Sequence, residues 1–440
     1  MTDRERLLGA LILGGTADAL GWRNEFWTPT SKRQRFVTRL EPWSKRVGRI
    51  GGYWAKVEAG DYSDDTQLTL AVARCMDPDG TYDPDRFARV ELPYWLSYQR
   101  GGGRTVKRAA ANLLANPSMS WDTNDFEGYD DAGANGAAMR VLALVIISDL
   151  DRLTVATWQN AIASHGHPRA IVGAITMAWG LSMLFNLRGR FDTGWYFQGL
   201  RERLREATLD LPNERLRRWI ARKCASQAFQ AGFDSARHEM LRFLDLVVSG
   251  LSKDNRDILQ ALGCLNPRTK GSGTATVAAG NFLFLKYQDN PERAAIEAAN
   301  AYGADTDTIG KFAGNLLGAL RGQAAYAAEL TECLQDRLYF HRITDYLAGD
   351  RSERHWNGVR KTETTVTPQT KEGDLYYSKL LGFGEVERVS TPRRIERGRA
   401  TLLEVRVVFE CGQSCYFHRK LIAGEESQQN PLFDEGESGE

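Results

Sequence analysis

Gly310, Gly314, Gly318 and Gly322 recur every four positions through a run whose apolar residues keep helical spacing, so they line one face of a helix. Each glycine in a helix interior costs on the order of 1 kcal/mol against alanine. The stripe therefore predicts a second helix packed very close to the first. Lys311, Asn315 and Arg321 interrupt the run, which excludes a membrane dimer seam.

Directly before that helix stands Gly303-Ala304-Asp305-Thr306-Asp307-Thr308, with two carboxylates and two hydroxyls in four residues. Two accounts are open at this point. Asp and Thr cap free amides and suit the helix dipole; one such residue would suffice for that. Crowded hard oxygens, with two acids repelling each other, also suit a divalent cation such as Mg²⁺ or Mn²⁺. A second copy of the device, Ser63-Asp64-Asp65-Thr66, follows Gly60-Asp61-Tyr62 and precedes another periodic run, so it too opens a helix. Together the two motifs offer enough oxygen ligands for two cations.

At 440 residues the chain predicts two units or one large helical one. A formal net charge of +1 argues against broad attraction to nucleic acid or an anionic membrane. Six scattered cysteines do not form a disulfide pattern, which predicts a reducing, cytoplasmic setting. The apolar run 7–13 lacks a basic flank and is broken by Gly14-Gly15, so it is read as a buried helix over 4–21 rather than a signal peptide, and no segment is read as membrane-spanning.

That helix ends near Asp18, Gly21 and Glu25, acids beside glycines and a tryptophan that suit a cleft wall or a cap. Residues 27–60 read as a loop over the cleft. Helical patterns follow over 66–76, 84–98 and 103–115. Asn135-Gly136-Ala137-Ala138-Met139-Arg140 reads as a small-residue turn before a buried helix, either a simple turn or a close approach to a ligand. His165-Gly166-His167-Pro168 precedes an apolar helix over 169–187; without a third ligand at zinc spacing, a cleft-lining or capping role is the better reading. Charged amphipathic helices over 198–260 read as a solvated outer layer. We expect a helical domain over 1–348, a small β-rich unit over 349–424 with a hairpin link at Gly412-Gln413-Ser414, and a disordered acidic tail over 425–440. Cys411, Cys415 and His418 make an incomplete zinc set and are read as core or incidental residues.

These motifs, in this order, resemble the ADP-ribosylglycohydrolase family, which includes the dinitrogenase reductase-activating glycohydrolase and the ADP-ribosyl-acceptor hydrolases. The match runs over roughly residues 7 to 322, through Asp18-Ala19-Leu20-Gly21 to Glu25, Ser63 to Thr66, Asn135 to Arg140, His165 to Pro168 and Gly303 to Thr308. The resemblance implies an all-α bundle, here with a small C-terminal β-rich appendage, around two magnesium ions, with Mn²⁺ as a substitute. It implies metal ligation by Ser63, Asp64, Asp65, Asp305, Asp307 and Thr308, catalytic roles for Glu25, Asp64 and Asp305, and substrate contacts from Asn135, Gly136 and His165. Ser63 stands where many members have Thr, Ala304 where Gly is common and Ala143 where many have Pro; none of these removes a ligand.

The implied activity is hydrolysis of the bond between the ribose anomeric carbon and an acceptor on an ADP-ribosylated protein or a small-molecule conjugate. The acceptor is not legible, and neither is the role of the C-terminal segment. Two readings from other classes stand beside it: a silent ADP-ribose-binding or structural protein, as in jellyfish crystallins of the family, and a protein that blocks an ADP-ribosyltransferase.

Overall fold

The computed structural model describes residues 1–26, 35–47, 53–225, 227–350, 352, 362–395 and 400–422. The expected acidic tail, and parts of the 27–60 segment, lie outside the described residues.

Helix α1 (Asp3–Trp22) opens with a capping box, in which the Thr2 hydroxyl accepts from the Glu5 amide and the Glu5 carboxylate from the Thr2 amide. From Arg6 to Trp22 every residue is buried, so the helix is central rather than amphipathic. The segment after it is more ordered than a loop: β1 (Trp43–Val47) and β2 (Tyr53–Val57) pair antiparallel. Their alternation is weak because β1 buries none of its side chains fully, which hid the hairpin in the sequence.

Next come α2 (Asp64–Ala73), α3 (Pro84–Arg86), a π-turn over Phe87–Glu91, α4 (Leu92–Trp95) and α5 (Arg104–Ala115), close to the expected spans. The apolar run after Arg140 departs from expectation. It forms a buried 3₁₀ segment, Val141–Ile146, in which β-branched residues lower the α preference. Helices α6 (Leu150–Ile162) and α7 (Pro168–Phe185) follow. Helix α7 is long and apolar enough to cross a membrane, contrary to the sequence reading, yet 94% of it is buried inside the protein. It is a core helix.

Outside lie α8 (Thr193–Glu206), α9 (Glu214–Cys224), α10 (Ala228–Ser249) and α11 (Asn255–Ala261), amphipathic as expected. The chain then returns inward through α12 (Gly273–Lys286), α13 (Pro291–Ala299) and α14 (Thr306–Arg321), and closes the helical body with α15 (Ala328–Thr331) and α16 (Arg337–Leu347).

The predicted close partner of α14 is α1. A Cβ placed on Gly318 would lie 2.2 Å from the Gly9 carbonyl oxygen, and one on Gly314 would lie 2.5 Å from that of Leu13. At the other end a Cβ on Gly21 would meet the Thr306 carbonyl at 2.5 Å. Backbone lies on backbone along the whole pair. Gly322 stands just past the helix end with a φ of +77°, where glycine terminates it, and its backbone still packs on α1: a Cβ on Gly9 would lie 2.7 Å from the Gly322 Cα.

The C-terminal strands β3 (Leu375–Ser378), β4 (Gly382–Ile395), β5 (Ala400–Phe409) and β6 (Ser414–Ile422) form one antiparallel sheet in sequence order. The β5–β6 link is Glu410–Gln413, with Gly412 at a φ of +95°. The sheet docks on the helical body. Tyr376 stacks on Phe417 at 4.8 Å between ring centres, and Phe417 reaches Tyr98 of the body. Below them Arg74, fully buried, bonds Glu91 of the body and the Gln413 side chain of the sheet. Cys411 and Cys415 are buried, and His418 pairs with Glu404, so these three side chains serve the sheet.

Candidate metal centre

The α1–α14 contact fixes where the acidic motifs meet. Ser63 takes the N-cap of α2 with extended backbone, and its hydroxyl accepts from the Asp65 amide at 3.2 Å. Asp18, wholly buried in α1, completes that cap. Its carboxylate accepts from the Ser63 amide (3.0 Å), the Thr66 amide (3.1 Å) and the Thr66 hydroxyl (2.5 Å). Capping of α2 is thus done by Ser63 and Asp18. Asp64 and Asp65 are left over.

The second motif divides the same way. Asp305 occupies the N-cap of α14, yet its side chain makes no capping bond. Asn135 Nδ2 donates to Asp305 Oδ2 at 2.8 Å instead, from a turn whose own amide bonds the Gly271 carbonyl. Asp307 Oδ1 accepts from the Thr308 amide, and the Thr306 hydroxyl donates to the Gly21 carbonyl. Carboxylate oxygens of Glu25, Asp305 and Asp307 lie within 4.8 Å of one another, and among the described residues this is the only group of acid, His or Cys side chains close enough to hold an ion.

The electrostatics suit a bound cation or a proton. Burial pushes the Glu25 carboxyl up to about 8, opposed by Lys45 and reinforced by Asp305 and Asp64. Burial likewise raises Asp64 to about 6, while Lys45 and the Gly102 amide pull it down. Asp65 is raised well above the carboxylate range by burial, then by Asp18 and Asp64. Asp307 is raised by burial, then by Glu25, Asp305 and Asp65. Asp65 Oδ2 is buried with no hydrogen-bond partner. An unpartnered buried carboxylate oxygen beside other acids is unstable as an anion unless a cation or proton joins it. Hard oxygen donors of this kind fit Mg²⁺ or Mn²⁺.

Of the expected substrate contacts, Asn135 reaches the acids directly. Gly136 backs onto His165, and a Cβ there would lie 2.8 Å from the imidazole Cε1. His165 is buried behind that turn, bonded through Nδ1 to the Ser164 hydroxyl, and burial beside Arg140 pushes it down to about 3. It is a neutral brace for Gly136. His167 caps α7, accepting from the Arg169 amide at 3.0 Å.

Several residues of the site escaped the sequence reading. Gly102 donates its amide to Asp64 Oδ1 at 2.6 Å, and Gly101, at a φ of +109°, leaves no room for a side chain against that oxygen. The run of three glycines at 101–103 was the available signal. Lys311, one turn after Asp307, is buried and donates to the Thr66 hydroxyl at 3.0 Å. Lys45, brought in by β1, lies over the Trp22 and Phe26 rings at 4.5 and 4.7 Å. No local pattern marked it.

A family model described as ADP-ribosylglycohydrolase matches residues 1–357. An uncharacterized Escherichia coli (strain K12) protein, YegU, is 27% identical over 366 residues, spanning 80% of this chain and 98% of its own. An ADP-ribosyl-[dinitrogen reductase] glycohydrolase from Rhodospirillum rubrum is 28% identical over 188 residues, 42% of this chain and 60% of its own. Among solved structures, a chain of an ADP-ribosylglycohydrolase-related protein complex superposes with a TM-score of 0.54 at 20% identity, covering 79% of this chain and 98% of that one, a likeness of fold.

Proposed function

The chain belongs to the ADP-ribosylglycohydrolase family, and from that premise we propose that it is a divalent-metal-dependent hydrolase that frees ADP-ribose from a modified acceptor. The observation that carries this reading is the approach of Glu25, Asp305 and Asp307 to within 4.8 Å, from the end of one central helix and the start of the other. Two Mg²⁺ ions, or Mn²⁺, would be held by Asp305, Asp307 and Thr308 together with Ser63, Asp64 and Asp65. When bound, such ions supply Lewis acidity and positive charge to the ribose oxygens and the attacking water.

The chain's own groups handle position and protons. Asn135 ties one oxygen of Asp305 and so fixes the rotation of that carboxylate. Gly102 does the same for Asp64. Hydrolysis breaks the bond from the anomeric carbon to the acceptor atom and joins a water oxygen to that carbon. Glu25, protonated near neutrality because of its burial, gives the leaving atom its proton, and Asp64, which ionises at lower pH, accepts one from the water. The Asn135–Gly136 turn, braced by His165, borders the substrate side.

The acceptor is an ADP-ribosylated protein side chain, a nucleic acid or a small-molecule conjugate, and the opposing partner is the ADP-ribosyltransferase that installs the mark. All six cysteines are unpaired, in keeping with a cytoplasmic protein. The test is release of free ADP-ribose from arginine-, serine- and nucleic-acid-linked conjugates, with Mg²⁺ and then EDTA, for the wild type and Asp305→Ala. Release that needs metal and Asp305 supports the reading and identifies the acceptor. Tight ADP-ribose binding without turnover on any conjugate overturns it in favour of a silent binding protein.

A further inference from the structure

The C-terminal sheet lies beyond the part of the chain that the family model matches, yet its last strand is bonded to both segments that hold Asp64. Asp61, buried two residues before Ser63, accepts from the Tyr416 hydroxyl of β6 at 3.0 and 3.2 Å through its two oxygens. The same carboxylate accepts from Arg100 Nη1 at 2.7 Å and from the Glu58 amide at 3.0 Å. The Arg100 guanidinium in turn lies 3.9 Å from the centre of the Tyr416 ring. Arg100 immediately precedes Gly101-Gly102, whose amide holds Asp64 Oδ1. The Arg100 amide is itself fixed by the Gln67 side chain of α2 at 3.0 Å.

A second strut runs beside the first. The Ser414 amide and hydroxyl of β6 donate to Asp336 Oδ1 at 2.8 and 2.6 Å, and Asp336 Oδ2 accepts from the Tyr62 hydroxyl at 2.6 Å. Tyr62 is the residue before Ser63. On β4, Arg388 pairs with Glu58 at the foot of the same turn. The approach to α2 is thus bonded to the sheet, directly or through one side chain, at Glu58, Asp61 and Tyr62, and the Gly102 donor is tied to it through Arg100.

We propose that the C-terminal sheet is a buttress for the metal centre, and that Tyr416 is a positioning residue which acts through Asp61 and Arg100 to hold Asp64 and its Gly102 donor in place. This rests on the metal reading above for its functional consequence. Removal of the hydroxyl frees the Asp61–Arg100 pair to shift, and with it both sides of the Asp64 carboxylate. Partners one shell away from a ligand commonly change metal affinity by about 10–100-fold.

The test uses full-length protein carrying Tyr416→Phe, which keeps the ring over Arg100, with Arg388→Ala as a second strut variant and His418→Ala as a control that disturbs the same strand. Mn²⁺ affinity is read by titration calorimetry, and the exchange rate of the Gly102 amide is read in metal-free protein. The expected result for Tyr416→Phe and Arg388→Ala is Mn²⁺ binding weakened by about tenfold and faster exchange at Gly102, while His418→Ala keeps wild-type values for both. Unchanged affinity and unchanged Gly102 exchange in Tyr416→Phe overturn the buttress. A wild type that binds no Mn²⁺ overturns the metal reading alone, because the Gly102 exchange comparison still decides whether Tyr416 orders this segment.

Discussion

Asn135 and Asp305, 170 residues apart, are joined by a 2.8 Å hydrogen bond that takes the place of the capping bond an N-terminal aspartate would ordinarily make. The carboxylate that heads α14 is aimed away from its own helix and into the acid group. Its removal is therefore a test of chemistry more than of helix stability. Asp305→Ala and Asp307→Asn are each expected to lower metal-dependent ADP-ribose release by more than about a hundredfold, with the helical circular dichroism kept. Either variant retaining full activity removes these residues from the metal centre.

Partly buried Glu25 and buried Asp64 also predict how stability depends on pH. Glu25 moves from an ordinary 4.5 to about 8, and Asp64 from 3.8 to about 6. A carboxyl whose folded pKa lies above its unfolded one stabilises most below the unfolded value and loses that contribution as pH climbs through the folded one. The Tm of metal-free protein should fall between about pH 4 and about pH 8 on this account, and the rise in Tm on adding Mn²⁺ should grow over the same window, since ligation needs the ionised acids. Thermal scans in EDTA and in Mn²⁺ measure both; a metal-induced shift that shrinks with pH contradicts the assignment.

The α1–α14 seam is tested by one methyl group. Gly318→Ala would gain about 1 kcal/mol of helix propensity if space allowed, but its Cβ would lie 2.2 Å from the Gly9 oxygen. Overpacking against backbone should win, with a net loss of about 1–3 kcal/mol by urea denaturation. Gly103→Ala, at the N-cap of α5 where a Cβ meets nothing within 4 Å, should cost only the poorer capping of alanine, about 0.5–1 kcal/mol. Equal effects at the two positions would mean that the seam is looser than described.

Arg74 and Glu91, both fully buried beneath the sheet, form a pair whose halves are not separable. Arg74→Met leaves the buried Glu91 charge with only Arg86, 3.6 Å from its other oxygen, and is expected to cost about 3–5 kcal/mol. The double variant Arg74→Met, Glu91→Leu should recover much of that loss. No recovery in the double variant would assign the cost to the lost bonds to Gln413 and Tyr98 instead.

The elements with a local signature were readable in advance. The glycine stripe announced a close helix partner, and the acid-rich start of α14 supplies Asp305 and Asp307, which with Glu25 make the close acid group. Their meeting place was not local, and what surrounds them was less readable still. Asp18 looked like any acid near a turn, and only the tertiary fold sets it against the N-terminus of α2. Lys45 arrives on a hairpin whose side chains alternate too weakly to predict. Tyr416 carries no pattern at all, because its role depends on where a whole sheet docks.

The pairing of α1 with α14 has a consequence for how the protein is made. Helix α1, nearly all of its surface destined for burial, leaves the ribosome well before its main partner, which begins at Thr306. At common synthesis rates of about 5–20 residues per second, that partner follows after roughly 15–60 seconds. During that interval the first helix is an apolar segment without its mate, and the acid group lacks Asp305 and Asp307. Contacts this distant in sequence are slow to form. Until α14 has been made, the packing open to the first helix is provisional, against α2 and its neighbours.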